Sequence, residues 1–275
     1  MTDMLNPAEA LALLPQATRI LKTTDANTKA SNSRTIAAAW RNGNLVDLGH
    51  SQAPDRPGRP AAPVLLGPRC VPRRRINRGP AGRIALLHAL AHIELNAVDL
   101  AWDILVRFTE TKNLPSEFIN DWVSIADDEA KHFALLNDRL KELGSYYGAL
   151  PAHDGLWEAA IITANDFSAR LAIVPLVLEA RGLDVTPPMI EKLERADDHA
   201  SAEILRIIHR DEITHVSIGH KWFKWACRKS KSDPVATFKM LVRLYYKGTL
   251  KAPFNRESRD MAGFTAEFYE PLSTE

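Results

Sequence analysis

The sequence predicts an all-α fold built around four long helices. Apolar residues recur at helical spacing in four segments: residues 81–109, 116–143, 155–181 and 198–229. Turn signals separate these segments: Asn113-Leu114-Pro115, then Gly144 to Gly155 with Pro151, then Gly182 to Pro188. No run of alternating β-branched residues indicates a sheet. We therefore expect one bundle of four helices, with extensions at both ends of the chain.

The N-terminal extension combines modest helical segments with a stretch rich in Pro, Arg and Gly. Residues 7–40 have helical spacing, whereas residues 51–80 read SQAPDRPGRPAAPVLLGPRCVPRRRINRGP. Proline at this density is incompatible with a continuous helix or the interior of a sheet, so we predict an extended strap. The run Arg73-Arg74-Arg75 is either a solvated or salt-bridged part of that strap or a phosphate-binding element.

The C-terminal extension is shorter. Residues 236–246 predict one more helix, followed by a loop around Pro253 and a polar end. These patterns divide the chain into three predicted regions. They are N-terminal helices and strap at 1–80, the four-helix bundle at 81–230, and a C-terminal helix and tail packed on the bundle at 231–275.

Composition excludes several classes of function. The 275 residues are 45% hydrophobic and 25% charged, with a formal net charge of +1, which gives no global argument for a nucleic-acid or membrane-surface partner. Cys70 and Cys227 form no CxxC pair, so a disulfide framework and a thiolate zinc site are not expected. We see no signal peptide, no membrane-spanning apolar stretch, and no GxGxxG, P-loop, GxSxG or HExxH motif, and we predict a cytoplasmic location.

Carboxylates and imidazoles interrupt the apolar stripes of all four predicted helices. A buried carboxylate is costly without a partner, and four in one bundle require cations. Two divalent metal ions would supply that charge, and carboxylate oxygen with imidazole nitrogen is a ligand set that suits iron and manganese. The predicted ligands are Glu94, Glu129, His132, Glu179, Glu212 and His215.

The order of these residues repeats along the chain. A single Glu precedes a Glu-x-x-His pair twice, with 35 positions from Glu94 to Glu129 and 33 from Glu179 to Glu212. Residues i and i+3 share a helical face, and di-iron and di-manganese bundles use this arrangement. The alternative, solvated i,i+3 contacts, conflicts with the apolar residues on both adjacent turns. Glu179 lies between Pro175 and Gly182, where a kink could direct it toward the site or away from it.

Other polar residues flank the predicted ligands. Asp128 and Asp211 directly precede two of the glutamates, and could accept the second N–H of a metal-bound histidine or lie on the helix surface. His209 lies one turn before Glu212 and either supports the site or packs in the core. His88 and His92 share a different face of their helix from Glu94, so we expect them to form hydrogen bonds in the core.

Two short motifs link these residues to known proteins. DEAKH at 128–132 and DEITH at 211–215 resemble the paired DExRH-type motifs of di-iron carboxylate oxidases and oxygenases, with Lys131 and Thr214 in place of the usual Arg. The phrases HALAHIELNAVDLAWD, PAHDGLWE and VLEARGLDVTPPMIEKL are similar to a bacterial ferritin-like family known as domain of unknown function 455. This similarity covers nearly the whole chain, including the strap and the PFN segment at 253–255.

The resemblance implies a ferritin-like four-helix bundle with two Fe ions, or Mn in their place. It implies an oxidoreductase of the monooxygenase type that uses dioxygen or peroxide to oxidise or hydroxylate a substrate. The expected partners are a small-molecule substrate, O₂ and an external electron donor, and tRNA is an alternative substrate by analogy alone. Two other functions stay open: ferritin- or rubrerythrin-like iron handling or peroxide detoxification, and a non-catalytic helical interaction protein.

Overall fold

The computed structural model describes residues 11–67, 70 and 79–274, and the all-α prediction is confirmed for them. In chain order the helices are α1 Leu13–Lys22, α2 Ala26–Arg41, α3 Pro80–Lys112, α4 Ser116–Glu142, α5 Gly155–Ile162, α6 Phe167–Ile173, a π-helix Val174–Glu179, α7 Ala180–Arg195, α8 His199–Ser230, α9 Pro234–Tyr245, α10 Arg256–Met261, α11 Ala266–Tyr269 and a 3₁₀ turn Glu270–Leu272. Two short strands, β1 Leu250–Lys251 and β2 Ser273–Thr274, pair in parallel.

The described residues fall into two compact units, one ending at Asp154 and the other beginning at Gly155. In the first unit α3 packs along α4, with α1 and α2 against them. Pro80 at the first position of α3 presets its backbone, and Asn113 in the left-handed region ends it. The three-region division predicted from the sequence stays a prediction.

The described part of the predicted strap, residues 51–67, contains no helix, as expected. Side chains from the helices hold it by its carbonyl groups. Arg107 of α3 donates to the Pro54 carbonyl at 3.0 Å, and Lys29 of α2 donates to the Gly58 carbonyl at 2.9 Å. The strap is therefore part of the first unit, whereas the Arg73-Arg74-Arg75 run lies outside the described residues.

The prediction of one continuous helix over residues 155–181 is wrong, because this segment contains a break and its last helix extends beyond residue 181. The helix breaks at residues 163–166, and a second helix begins at Phe167 because the Asp166 carboxylate accepts from the Ala169 N–H. That second helix passes through a six-residue π segment, then continues across the expected turn at Gly182 to Pro188 and ends only at Arg195.

Two prolines stand inside α7, and the C-terminal tail compensates for one of them. Pro187 has no N–H to donate to the carbonyl of Leu183, four residues earlier. The Asn255 side-chain amide donates to that carbonyl instead, at 3.2 Å. The helix therefore continues where the local sequence predicts a turn, because a distant residue supplies the missing donor.

The tail beyond Pro253 is less polar than the sequence predicts. It forms α10 and α11, and Phe264, Phe268 and Tyr269 are buried. Arg259 lies among these rings, 4.3 Å from the centroid of Tyr269, and pairs with Asp184 of α7 at 2.7 Å. The tail thus contributes aromatic core to the second unit.

Among the described helices, α3 alone is long and apolar enough to cross a membrane by length and composition. Within the structure 78% of its most apolar window is buried, which is typical of the core helix of a globular protein. Its buried Glu94, Asp99 and Asp103 agree with that interpretation.

Candidate metal centre

Two glutamates and a histidine converge in the interior of the first unit. Glu94 comes from α3, and Glu129 and His132 lie three residues apart on one face of α4. All three side chains are buried. The His132 Nδ1 atom lies 3.2 Å from the Glu94 Oε2 atom and 3.5 Å from the Glu129 Oε2 atom. Three predicted ligands are therefore brought together as a cluster.

Burial makes this cluster electrostatically unfavourable without a cation. The pKa of Glu94 is held well above its ordinary value, chiefly by loss of solvation and next by the negative charge of Glu129. The adjacent His132 lowers the pKa, but less than those two effects raise it. A bound cation would reverse this balance, because it stabilises the ionised form of both carboxylates.

The donor set and its spacing fit a transition-metal ion. An oxygen of each glutamate and a ring nitrogen of His132 lie within 4.8 Å of one another. Ligand atoms at about 2.1 Å from one ion and at right angles are about 3 Å apart, close to the distances between His132 and the two carboxylates. Glu94, Glu129 and His132 could therefore hold a metal ion with small side-chain movements.

The second unit carries the other three predicted ligands. Glu212 and His215 are buried on one face of α8, with the His215 Nδ1 atom 3.7 Å from the Glu212 Oε1 atom. Glu179 is the last residue of the π-helix and is half-buried. The Glu-x-x-His pair thus recurs as predicted, while the single glutamate comes from an irregular helix.

A close contact packs the π-helix against α8 near these ligands. A Cβ atom built on Gly219 would lie 2.4 Å from the Cβ of Pro175, so only glycine allows the approach. Gly219 lies one turn beyond His215, and Pro175 lies one turn before Glu179. The contact therefore fixes the two elements that carry the ligands of this unit. Single π turns inside helices are often found at functional sites.

The polar residues that flank the predicted ligands have contacts of their own. Asp128 pairs with Lys131 at 2.6 Å, and Asp211 pairs with Arg210 at 3.0 Å. The His209 Nε2 atom lies 3.2 Å from the Ser258 hydroxyl of α10. A supporting role for these three residues at the metal centre stays a prediction.

His88 and His92 form hydrogen bonds in the core, as expected, and their partner is the segment after α4. The His88 Nε2 atom accepts from the Gly148 N–H at 2.9 Å. The His92 Nε2 atom donates to the His153 carbonyl at 3.0 Å, which leaves Nδ1 to accept from the Tyr147 hydroxyl at 2.9 Å. Burial lowers the pKa of His92 to about 4, so its ring is neutral.

The sequence of this chain is similar to a family of known proteins. Residues 22–270 match the model of the family described as protein of unknown function DUF455. The chain belongs to the DUF455 family. A Haemophilus influenzae protein described as uncharacterized is 43% identical to it over 212 residues, which cover 75% of this chain and 73% of the relative. No solved structure matches the chain.

Membership of DUF455 confirms the family resemblance predicted from the sequence. The relationship to the wider group of ferritin-like di-iron proteins stays a prediction.

The first unit of the DUF455 chain also contains a groove that the sequence did not predict. It has a volume of about 590 Å³ and lies between α2 and α4. Alanines and Phe133 form its apolar part, and Arg34 and Arg41 also line it, both paired with Asp127. Phe133 directly follows His132, so the groove adjoins the helix that carries two predicted ligands.

Proposed function

We propose that this DUF455 protein is a non-haem oxidoreductase with a di-iron or di-manganese centre. The observation that carries the proposal is the buried cluster of Glu94, Glu129 and His132. Two carboxyl groups and an imidazole in a dry interior are unfavourable alone, and iron or manganese is the partner that this donor set prefers. Glu212, His215 and Glu179 repeat the same ligand types, and the proposal assigns the six residues two metal ions.

The metal pair, when bound, would supply the capacity to bind and reduce dioxygen or peroxide. The residues of the chain supply charge, position and exclusion of water. The carboxylates of Glu94 and Glu129 neutralise the positive charge, and His132 offers a neutral nitrogen ligand. Burial of all three keeps bulk water away, which limits unproductive release of reactive oxygen species.

Iron handling and peroxide detoxification use similar centres, but two features favour substrate oxidation. Rubrerythrin-like electron transfer requires a CxxC pair, whereas Cys70 and Cys227 are single, free cysteines. The groove between α2 and α4 is large enough for a small organic molecule. The proposed substrate is therefore an organic molecule, oxidised or hydroxylated with electrons from an external donor.

Elemental analysis of the protein from iron-replete cells tests the metal centre. We expect about two metal ions per chain, following the di-metal pattern of such bundles. The double variant Glu129→Ala/Glu212→Ala should retain far less metal. The matched control Glu117→Ala/Glu203→Ala changes exposed glutamates on the same two helices and should keep the wild-type content.

Circular dichroism must show that both double variants are folded. The metal-centre proposal is rejected if wild-type protein binds no transition metal after anaerobic reconstitution with Fe(II) or Mn(II). If metal binds but reduced protein does not consume O₂, the oxidoreductase assignment fails and iron handling or a structural role takes its place.

A further inference from the structure

Positive charge is concentrated in one segment of the second unit. Residues 221–251, from the C-terminal part of α8 through α9 to β1, contain nine Lys or Arg residues and one Asp. The whole chain has a formal net charge of only +1, so this segregation is invisible in the overall composition. A surface with this charge attracts anionic partners.

Three exposed basic side chains of this segment have no carboxylate partner within the described residues. They are Lys224 and Arg228 of α8 and Arg243 of α9, and none of them forms an ion pair in the part of the chain that the structure describes. Ion pairs are frequent elsewhere in the same unit. Arg195 pairs with Glu191 at 2.7 Å, and Arg206 pairs with Glu203 at 2.9 Å. Basic side chains without an ion-pair partner on one surface indicate that this surface binds an anionic partner.

The outward face of α9 adds exposed apolar side chains to this charge. Phe238, Leu241 and Val242 form the buried face of the helix. Met240 and Leu244, one turn apart on the opposite face, are 55% and 68% exposed. Arg243 is exposed beside them. A helix with aliphatic side chains among basic residues is typical of proteins that bind at the surface of a bilayer.

We propose that α9 and the C-terminal part of α8 dock this protein on an anionic phospholipid surface. Met240 and Leu244 would enter the headgroup region, and the surrounding Lys and Arg side chains would contact the lipid phosphates. Nucleic acid would use exposed aromatic faces for stacking. Here the most exposed large side chains are aliphatic, and the half-buried Trp225 already has the Lys229 ammonium 5.4 Å from its ring centroid.

Vesicle flotation with the full-length protein tests this docking surface. We expect binding to phosphatidylcholine vesicles that contain phosphatidylglycerol, little binding to phosphatidylcholine alone, and loss of binding in high salt. Lys224→Gln/Arg228→Gln/Arg243→Gln should weaken binding on the order of a hundredfold, at roughly fivefold for each charge. Met240→Gln/Leu244→Gln should weaken it roughly tenfold.

The control Lys192→Gln/Arg195→Gln/Arg206→Gln removes three exposed charges from the same unit and should change binding by much less. Circular dichroism and unfolding temperature establish that each variant is folded. Three results would overturn the proposal: no preference for anionic vesicles, equal weakening by the control, or binding of a short single-stranded RNA without vesicle binding. Metal content plays no part in these measurements, so the docking proposal and the proposed function can fail separately.

Discussion

The two Glu-x-x-His pairs of this protein have the same spacing but differ in burial and in the kind of helix that carries the accompanying single glutamate. On α4, Glu129 and His132 are fully buried and lie on a regular helix, with Glu94 of another regular helix 3.2 Å from the imidazole. On α8 the distance from His215 to Glu212 is 3.7 Å, and the accompanying single glutamate ends a π-helix. All three residues of the first cluster lie on regular helices, whereas in the second unit the packing of the π-helix against α8 depends on the close Gly219–Pro175 contact.

That dependence can be broken at Gly219. Gly219→Ala places a Cβ atom 2.4 Å from the Pro175 Cβ, and a proline ring in a helix has little room to move. We expect a loss of about 3 kcal/mol of stability, measured as the free energy of unfolding in urea.

Gly182→Ala is the matched control, because it changes a helical glycine of the same unit whose Cβ would meet nothing within 4 Å. It should stabilise the protein by about 0.5–1 kcal/mol. Similar losses in both variants would show that the Gly219–Pro175 contact is not the cause.

Sequence patterns predicted the buried Glu and His side chains of the first cluster better than they predicted the helix that carries Glu179. Glu94, Glu129 and His132 were predicted because each interrupts an apolar stripe, and their helices obey local spacing rules. The break at residues 163–166 and the continuation past Pro187 depend on other information. The donor that satisfies the Leu183 carbonyl is Asn255, 72 residues away, and no local pattern contains it.

The basic segment 221–251 was missed for a different reason. The net charge of the whole chain is only +1, because acidic residues elsewhere cancel the positive charge of this segment. Which of its side chains are exposed also depends on tertiary packing, since the periodicity of α9 alone predicts only its buried face. The six-ligand centre itself, with Glu179 as a member, stays a prediction.

Each unit contains a buried histidine that affects stability in acid, His92 in the first and His220 in the second. Burial lowers the pKa of both His92 and His220 to about 4, but the His220 Nε2 atom has no hydrogen-bond partner within the described residues. In the unfolded chain a histidine has a pKa of about 6.5. As the pH is lowered from 6.5 to 4, His220 therefore takes up a proton in the unfolded state but not in the folded state. The free energy of unfolding decreases as the pH is lowered through this range.

We expect His220 to contribute roughly 3 kcal/mol to the stability lost over this range. His220→Asn cannot titrate, so its unfolding free energy should fall less steeply between pH 6.5 and 4 than that of the wild type. Parallel curves for the two proteins would contradict the assignment.

The smallest effect is expected when the glutamate of each Glu-x-x-His pair is replaced by Gln in metal-free protein. Glu129 lies beside Glu94 with one imidazole between them, so Glu129→Gln removes an excess buried carboxyl group. We expect the metal-free protein to gain about 1 kcal/mol in unfolding free energy, and the metal-loaded protein to lose stability. Glu212→Gln should give a smaller gain, since Glu212 is more exposed than Glu129. If Glu129 instead forms a structural ion pair with His132, Glu129→Gln will destabilise the metal-free protein, and urea unfolding after chelation separates the two outcomes.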